Sequence, residues 1–206
     1  LGFRGEALSS IASVSKITAI SKTKTEELGN KIVIHGGEVI ENVNIGASDG
    51  TIITVEDIFY CIPARAKFLR KPKTEESDIT NIVCRLILAN PNVAIKYVAD
   101  NQIIYNSTGG GLTDAIYVIY GKNIVENLIP ADFESDVFKV SGYISKPTYS
   151  KPNRTYQTLI INGRYVINQA IATAFYKAYE NYLMKNNFPF YVINITIPLD
   201  KIDVNV

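Results

Sequence analysis

The sequence has few of the side chains that usually hold metals. Of 206 residues, only Cys61, Cys84 and His35 carry a thiol or an imidazole. The cysteines form no CxxC pair, and His35 lies in a predicted strand far from both of them in the sequence. These counts argue against a metal site. They also favour a reducing, intracellular environment, in which Cys84 is a small core residue.

Long apolar runs are missing too. No apolar segment approaches the ~20 residues that a membrane-spanning helix requires, and no signal peptide is visible at the start. The sequence therefore predicts a cytoplasmic protein without a membrane partner. The phosphate-binding pattern GxxxxGK[ST] is also absent, so any nucleotide site must be of another kind.

Acidic residues are absent from one long segment, although the formal net charge of the chain is only +1. Residues 137–179 contain no Asp or Glu but carry six basic residues: Lys139, Lys146, Lys151, Arg154, Arg164 and Lys177. Basic groups without neighbouring acids can neutralise phosphates, and the interleaved tyrosines can pack against sugars or unpaired bases. The alternative is chance combined with a solvated loop, and the segment alone does not decide between them.

Hydrophobic periodicity and turn residues predict an α+β chain with helices covering one face of each sheet. The glycine-rich segment NSTGGGLTD at 106–114 divides it into two predicted domains, 1–107 and 112–206. The predicted helices cover 5–14, 74–91 (with Thr74 as its cap), 112–121 and 168–187, the last with an apolar stripe from Ile171 to Tyr182. The predicted strands and hairpins cover 16–22, 31–43, 50–59, 93–106, 137–145, 156–168 and 190–198.

Two connecting segments are predicted to be loops. Residues 61–73 read as a proline-broken basic loop, which is most often simply solvated. The repeated Ser-Lys-Pro at 145–147 and 150–152 predicts an extended, mobile loop. Hairpin turns are expected at Gly36-Gly37, Asp100-Asn101 and Asn162-Gly163.

The chain begins LGFRGEALSS, in which Gly2 and Gly5 bracket a turn that leads into a helix. Backbone N–H groups at a helix start are unsatisfied donors, and glycines allow a phosphate to approach them closely. Gly50-Thr51, at a strand start, could likewise place a hydroxyl near a ligand. Each feature taken alone is better explained by an ordinary turn.

Taken together and in order, GFRGEAL, GTIITVEDIF followed by PARAKFL, INGR and the terminal DVNV resemble the MutL family of DNA mismatch-repair ATPases. That family belongs to the GHKL group, together with gyrase B. The resemblance implies the C-terminal part of a GHKL α/β sandwich, followed by a ribosomal-protein-like domain with a left-handed βαβ connection. It covers essentially the whole chain, although Ile62 stands where threonine is commoner before the PAR signature.

The resemblance also implies roles for individual residues. Phosphate contacts would come from the lid motif, which comprises Gly2, Phe3, Arg4, Gly5 and Glu6, and Thr51 would lie at the base of the adenine pocket. DNA would be bound by Arg164, with Lys146, Lys151 and Arg154 adding to the same face. The family's general-base glutamate, magnesium-binding asparagine and adenine-reading aspartate belong to motifs before Leu1. No catalytic residue or metal ligand is therefore expected here.

The expected parent is a bacterial protein of which this chain is a fragment. It would bind and slowly hydrolyse ATP with Mg²⁺, dimerise, bind DNA and couple a MutS-type protein to a downstream nuclease or helicase. The fragment alone would bind neither cofactor and would be inactive, and the parent would be cytoplasmic and nucleoid-associated. Two alternatives stay open: the ATPase subunit of a type II topoisomerase, and a nucleic-acid-binding module without a nucleotide role.

Overall fold

The structure is a computed structural model that describes residues 6–201. The chain divides into two compact units between Glu75 and Glu76, and each is described by itself. The sequence predicts a domain boundary at 107–112 instead, which is a different division of the chain and stays a prediction. No helix in the described part of the chain is long and apolar enough to cross a membrane.

Unit 1, up to Glu75, is built on an antiparallel sheet. Its strands lie in the order β3-β2-β1-β4, with the bounds β1 Lys16–Lys22, β2 Gly29–His35, β3 Glu38–Ile45 and β4 Gly50–Glu56. Two short helices flank them, α1 (Ala7–Ala12) before β1 and α2 (Pro63–Ala66) after β4. The helix α2 lies in the segment predicted as a loop, because Pro63 fills the first helical position, where a missing N–H costs nothing.

The end of α1 is fastened to the sheet by backbone hydrogen bonds. The amide of Gly37 donates to the carbonyl of Ala12 (2.9 Å), and the amide of Gly36 donates to that of Ser15 (3.0 Å). Both glycines have positive φ, as the predicted turn between β2 and β3 requires. The helix start at Ala7 therefore has a fixed position relative to the sheet of unit 1.

Unit 2, from Glu76 onward, contains most of the long helix α3 (Pro72–Ala89) and a six-stranded sheet. The main strand order is β12-β11-β14-β9-β7, with β8 also paired to β9. Strands β11 and β14 run parallel, and β12 and a helix lie between them in the chain. The remaining bounds are β5 Ala94–Ala99, β6 Gln102–Thr108, α4 Leu112–Tyr120, α5 Lys122–Val125, β7 Leu128–Pro130, β8 Phe133–Glu134, β9 Lys139–Ser145, β10 Ser150–Lys151, β11 Gln157–Ile161, β12 Arg164–Val166, α6 Gln169–Tyr179, β13 Phe188–Pro189 and β14 Tyr191–Thr196.

Helices cover both faces of this six-stranded sheet. On one face, Val192 and Ile160 pack with residues of α3, α4 and α5 around Phe190, which is fully buried. On the other face, Ile193 and its neighbours contact α6. The α+β class is confirmed, but the expectation that helices cover a single face is wrong for this sheet. The reason is that α6 follows β12 and returns over the face opposite to α3.

Several local predictions are confirmed, and others need correction. The hairpin turns at Asp100-Asn101 and Asn162-Gly163 lie where predicted, with positive φ at all four residues. The helix predicted to reach residue 187 ends at Tyr179, and Tyr182 is exposed rather than part of an apolar stripe. Helix α3 begins at Pro72, so Thr74 lies inside it instead of capping it. The loop predicted at 145–152 contains β10, which pairs with β13.

Candidate functional site

The residues expected at a nucleotide are only partly described. Gly2, Phe3, Arg4 and Gly5 lie outside the described residues, as does the terminal DVNV. Glu6 directly precedes α1 and is exposed. Its backbone carbonyl accepts hydrogen bonds from the Ser9 hydroxyl (2.9 Å) and from the Ser10 amide (3.0 Å). The Glu6 carboxylate makes no capping bond, and its role at a phosphate stays a prediction.

Thr51 is the second residue of β4 and lies opposite Ser21 of β1. The two hydroxyl oxygens are 2.8 Å apart, and either hydroxyl can be the donor. Thr51 is exposed, so one more hydrogen bond from or to a ligand is sterically open. The position suits the expected hydroxyl contact without testing it.

The basic cluster after α2 behaves as a solvated segment. Arg70 forms a two-pronged ion pair with Glu75, with Nε at 3.0 Å from Oε1 and Nη2 at 3.3 Å from Oε2. Hydrogen bonding to Arg70 lowers the pKa of the half-buried Glu75 carboxyl. The Arg70 amide donates to the same carboxylate, at 3.0 Å from Glu75 Oε1.

The four basic residues expected on DNA have different surroundings. Lys146 donates through Nζ to the carbonyl of Glu126 (2.7 Å), which ties its side chain to the backbone. Lys151 lies over the rings of Tyr149 and Tyr156, at 4.8 Å from each. Arg154 lies 4.9 Å from the centre of the Phe188 ring. Arg164 opens β12 directly after the Asn162-Gly163 turn, is half-buried, and already takes part in an interaction.

Two of these residues, Lys151 and Arg154, line a cleft of about 730 Å³ in unit 2, whereas Lys146 and Arg164 do not. One wall is α3 with the neighbouring parts of β6, α4 and α5, and the other is the segment from Lys151 to Ala172. The lining residues are Asn81, Cys84, Arg85, Leu88, Tyr105, Ile119, Tyr120, Ile124, Lys151, Arg154, Thr155, Tyr156, Gln157, Thr158, Leu159, Tyr165, Val166, Ile167, Asn168, Gln169, Ala172 and Tyr191.

The cleft brings in a third cation, Arg85, which the sequence did not single out. Its guanidinium lies 4.0 Å from the centre of the Tyr165 ring, a cation–π arrangement. Arg85 belongs to α3 and comes 66 residues before Lys151 in the sequence, so only the fold brings it to Lys151 and Arg154. Among the described residues that line the cleft there is no carboxylate.

Burial raises the pKa of three tyrosine hydroxyls in this cleft, those of Tyr105, Tyr120 and Tyr191. It raises the pKa of Tyr120 to about 12 and also raises the pKa of Tyr105. Burial raises the pKa of Tyr191 as well, against the opposing charge of Arg154. These three hydroxyls are therefore neutral throughout the physiological range, and their aromatic faces carry no charge that would repel a phosphate.

The two cysteines should differ in reactivity. Cys61 is exposed, whereas Cys84 is half-buried in the cleft, where desolvation raises the pKa of its thiol. Because the thiolate is the reactive form, a limiting thiol reagent at pH 8 should modify Cys61 about tenfold faster than Cys84. Peptide mass spectrometry after short exposures measures both rates. Equal rates in a folded sample would contradict the half-buried environment of Cys84.

The sequence is similar to known proteins along its entire length. It is 42% identical over 207 aligned residues to the DNA mismatch repair protein MutL of Agathobacter rectalis. It is 44% identical to the MutL protein of Clostridium tetani, and both alignments cover 100% of this chain. The chain belongs to the MutL family. A family model described as DNA mismatch repair protein, C-terminal domain, matches residues 116–206. The chain spans about a third of these MutL relatives (32% and 33%).

Solved structures support the fold of this MutL-family chain. The Aquifex aeolicus MutL ATPase domain complexed with ADP aligns with a TM-score of 0.76 and 22% identity, over 95% of this chain and 72% of that one. The 43K ATPase domain of Thermus thermophilus gyrase B aligns with a TM-score of 0.55 and 13% identity, over 95% and 58%. The GHKL-type architecture expected from the sequence motifs is thereby confirmed.

Proposed function

We propose that this chain is part of a DNA mismatch-repair protein of the MutL type, which binds ATP and DNA and relays mismatch recognition. The observation that carries this proposal is 42% identity to a MutL protein over the entire chain. The topoisomerase alternative is not favoured, because the gyrase B domain aligns with lower identity and a lower TM-score than the MutL domain.

The proposed ATP site lies in unit 1. It uses the lid motif Gly2 to Glu6 around the phosphates and Thr51 near the adenine. The exposed Thr51 hydroxyl and the helix start beside Glu6 suit such a ligand. The resemblance assigns the Mg²⁺-binding asparagine and the general-base glutamate to motifs before Leu1. The 206 residues alone should therefore not hydrolyse ATP.

The proposed DNA face lies in unit 2 and uses Arg164, Lys146, Lys151 and Arg154. Phosphate contacts of this kind carry no base information, so binding should be largely independent of sequence and strongly salt-sensitive. The partners would be DNA in the nucleoid, a second copy of the protein, a MutS-type protein and a downstream nuclease or helicase.

Replacing Arg164 by glutamate in the full-length protein tests this proposal. DNA affinity at low salt should fall about tenfold and the salt dependence should flatten, because a phosphate contact is lost and a repulsive charge is added. ATP binding should stay nearly intact, because Arg164 belongs to unit 2 and the proposed nucleotide residues to unit 1. DNA titrations at several salt concentrations and a nucleotide-binding assay measure both effects.

A purely structural role for Arg164 makes the opposite prediction. Since Arg164 already interacts within the structure, its loss could lower the melting temperature and leave the salt dependence unchanged. Arg164→Lys, which keeps the charge, serves as the matched control. A well-folded Arg164→Glu protein with unchanged DNA affinity would show that Arg164 does not contact DNA. A wild-type protein that binds neither ATP nor DNA would contradict the proposed function.

A further inference from the structure

The cleft of unit 2 gathers three cations that have no acidic partner among residues 6–201. Arg85, Lys151 and Arg154 reach it from α3, from β10 and from the turn after β10. Each lies against an aromatic ring: Tyr165 for Arg85, Tyr149 and Tyr156 for Lys151, and Phe188 for Arg154. Within residues 6–201, none of the three side chains makes an ion pair or a hydrogen bond, so their N–H donors remain open to a ligand.

Ring stacking explains how the cations stay in place without carboxylates. A cation over a ring is attracted by the negative face of the π-system, and its N–H groups still point outward at the edge of the ring. Phosphate oxygens accept such donors readily, and no carboxylate lines the described part of the cleft to compete with or repel them. The charges that line the cleft therefore favour an anion over a cation.

The remaining lining residues suit a flat, partly polar group. Tyr105, Tyr120, Tyr156 and Tyr165 line the walls, and Tyr191 lies behind them, 3% exposed, with its ring stacked on Phe175 at 4.3 Å. Tyr120 is held by Phe190, with ring centres 5.2 Å apart in an edge-to-face arrangement, and lies 5.9 Å from Tyr156. The side-chain amides of Asn81 and Gln169 also line the cleft. Those of Gln157 and Asn168 line it too, but Gln157 Nε2 donates to the Pro189 carbonyl (3.1 Å) and Asn168 Oδ1 accepts from the Ile171 amide (3.0 Å).

We propose that this cleft binds an unstacked nucleotide of single-stranded DNA, with its phosphate at Arg85, Lys151 and Arg154 and its base against the tyrosines. The volume of about 730 Å³ is in the range of small-molecule sites, which is enough for one or two nucleotides. A duplex can contact Lys151 and Arg154 through its phosphates, but it cannot place a base in the cleft, because its bases are paired and stacked inside the helix. Cationic grooves with aromatic platforms are how proteins hold single strands. The inference rests on the proposed DNA-binding function and names a separate site for it.

Cys84 provides a direct measure of occupancy, because it lines the cleft. In a Cys61→Ser chain it is the sole thiol, and its reaction with methyl methanethiosulfonate can be followed by mass. A saturating oligo(dT) of about 16 nucleotides should slow that reaction about tenfold. Blunt duplex of the same length, bound to the same extent, should leave the rate within about twofold of that of the free chain.

Two further ligands test whether a free nucleotide, or a phosphate backbone without bases, protects Cys84 as well as the single strand does. Thymidine monophosphate carries one phosphate and one base, and it should protect Cys84 only at far higher concentration than the strand. Equal protection by the monophosphate would show a free-nucleotide site and overturn the single-strand assignment. An abasic oligonucleotide carries the phosphates alone, and full protection by it would overturn the stacking of a base on the tyrosines.

Arg85 distinguishes this site from the DNA face already proposed, since it lies outside residues 137–179. Arg85→Gln should weaken oligo(dT) binding about tenfold and change duplex affinity by less than about twofold, because only the single strand can place a base in the cleft. Lys96→Gln is the matched control, because Lys96 is exposed on β5 and does not line the cleft. Arg85→Lys should retain most of the affinity, and it covers the case in which the glutamine variant fails to fold.

The outcomes separate the two proposals. If the chain binds neither single-stranded nor duplex DNA, the proposed DNA face fails together with the cleft. If it binds DNA while Cys84 reacts at an unchanged rate and Arg85→Gln behaves like Lys96→Gln, only the cleft assignment is overturned.

Discussion

Replacing Gly142 by alanine should lower the melting temperature of unit 2 sharply. Gly142 lies in the middle of β9, opposite Ile193 of β14, with φ at +142°. A Cβ atom there would lie 2.2 Å from the backbone carbonyl oxygen of Val192 and 3.1 Å from the Cα of Ile193. Neither neighbour is the end of a flexible side chain, so β9 or β14 must move. We expect a loss of about 4 kcal/mol or more, made up of backbone strain and lost strand pairing.

The measurement can be restricted to unit 2. Every tyrosine of the chain except Tyr60 comes after residue 76, so near-ultraviolet circular dichroism reports the packing of unit 2. The matched control is Gly46→Ala, since a Cβ at Gly46 would have no atom within 4 Å. The Gly142 variant should lose the tyrosine signal at temperatures where the Gly46 variant keeps it. A Gly142→Ala protein with the wild-type melting curve would show that β9 and β14 are not held as described.

The site depends on the same sheet. Strand β14 carries Tyr191, which lines the cleft, and Phe190 just before it supports the ring of Tyr120. A shift of β14 away from β9 would therefore move two aromatic walls of the cleft. Loss of DNA binding in the Gly142 variant would follow from this displacement and would not mark Gly142 as a DNA contact.

Local chemistry explains which elements the sequence predicts well. The turn at Asn162-Gly163 was predictable because both residues tolerate positive φ, which a two-residue hairpin turn requires. The end of α6 was not, because residues after Tyr179 keep helix-like spacing, and only the lack of a neighbour around Tyr182 shows that they are outside the core. Strands as short as β10 leave no periodicity to detect, since β10 has two residues.

The same distinction between local pattern and tertiary packing decides which residues of the candidate site could be predicted. Lys151 and Arg154 were predictable, because a segment without acids is visible in the sequence alone. Arg85 was not, because it follows Cys84 in the middle of a helix whose apolar spacing predicts core packing. The cleft exists only because the parallel pairing of β11 with β14 and the packing of α3 place these segments together. Such pairings over long sequence distances are set by tertiary packing, which local patterns do not encode.

Reversing both cleft cations of the basic segment, with Lys151→Glu and Arg154→Glu, should weaken DNA binding about a hundredfold at low salt. Two attractive phosphate contacts are lost and two repulsive charges replace them. If each side chain neutralises one phosphate, the slope of log affinity against log salt should also decrease by about 1.8 on duplex DNA and by about 1.4 on single strands. Titrations of the chain at four or five salt concentrations, monitored by fluorescence anisotropy of labelled DNA, measure both quantities.

The matched control carries the same change in net charge on other exposed residues, Lys96→Glu with Lys185→Glu. It separates a local contact from the effect of overall charge, which steers association but does not determine the number of phosphates contacted. Folding should be little affected in the cleft variant, because stacking of a cation on a ring contributes only about 0.5–1 kcal/mol at exposed sites. If the cleft variant melts normally and its affinity and salt slope match those of the control, Lys151 and Arg154 do not contact DNA. A reduced slope in the cleft variant alone would identify them as phosphate contacts.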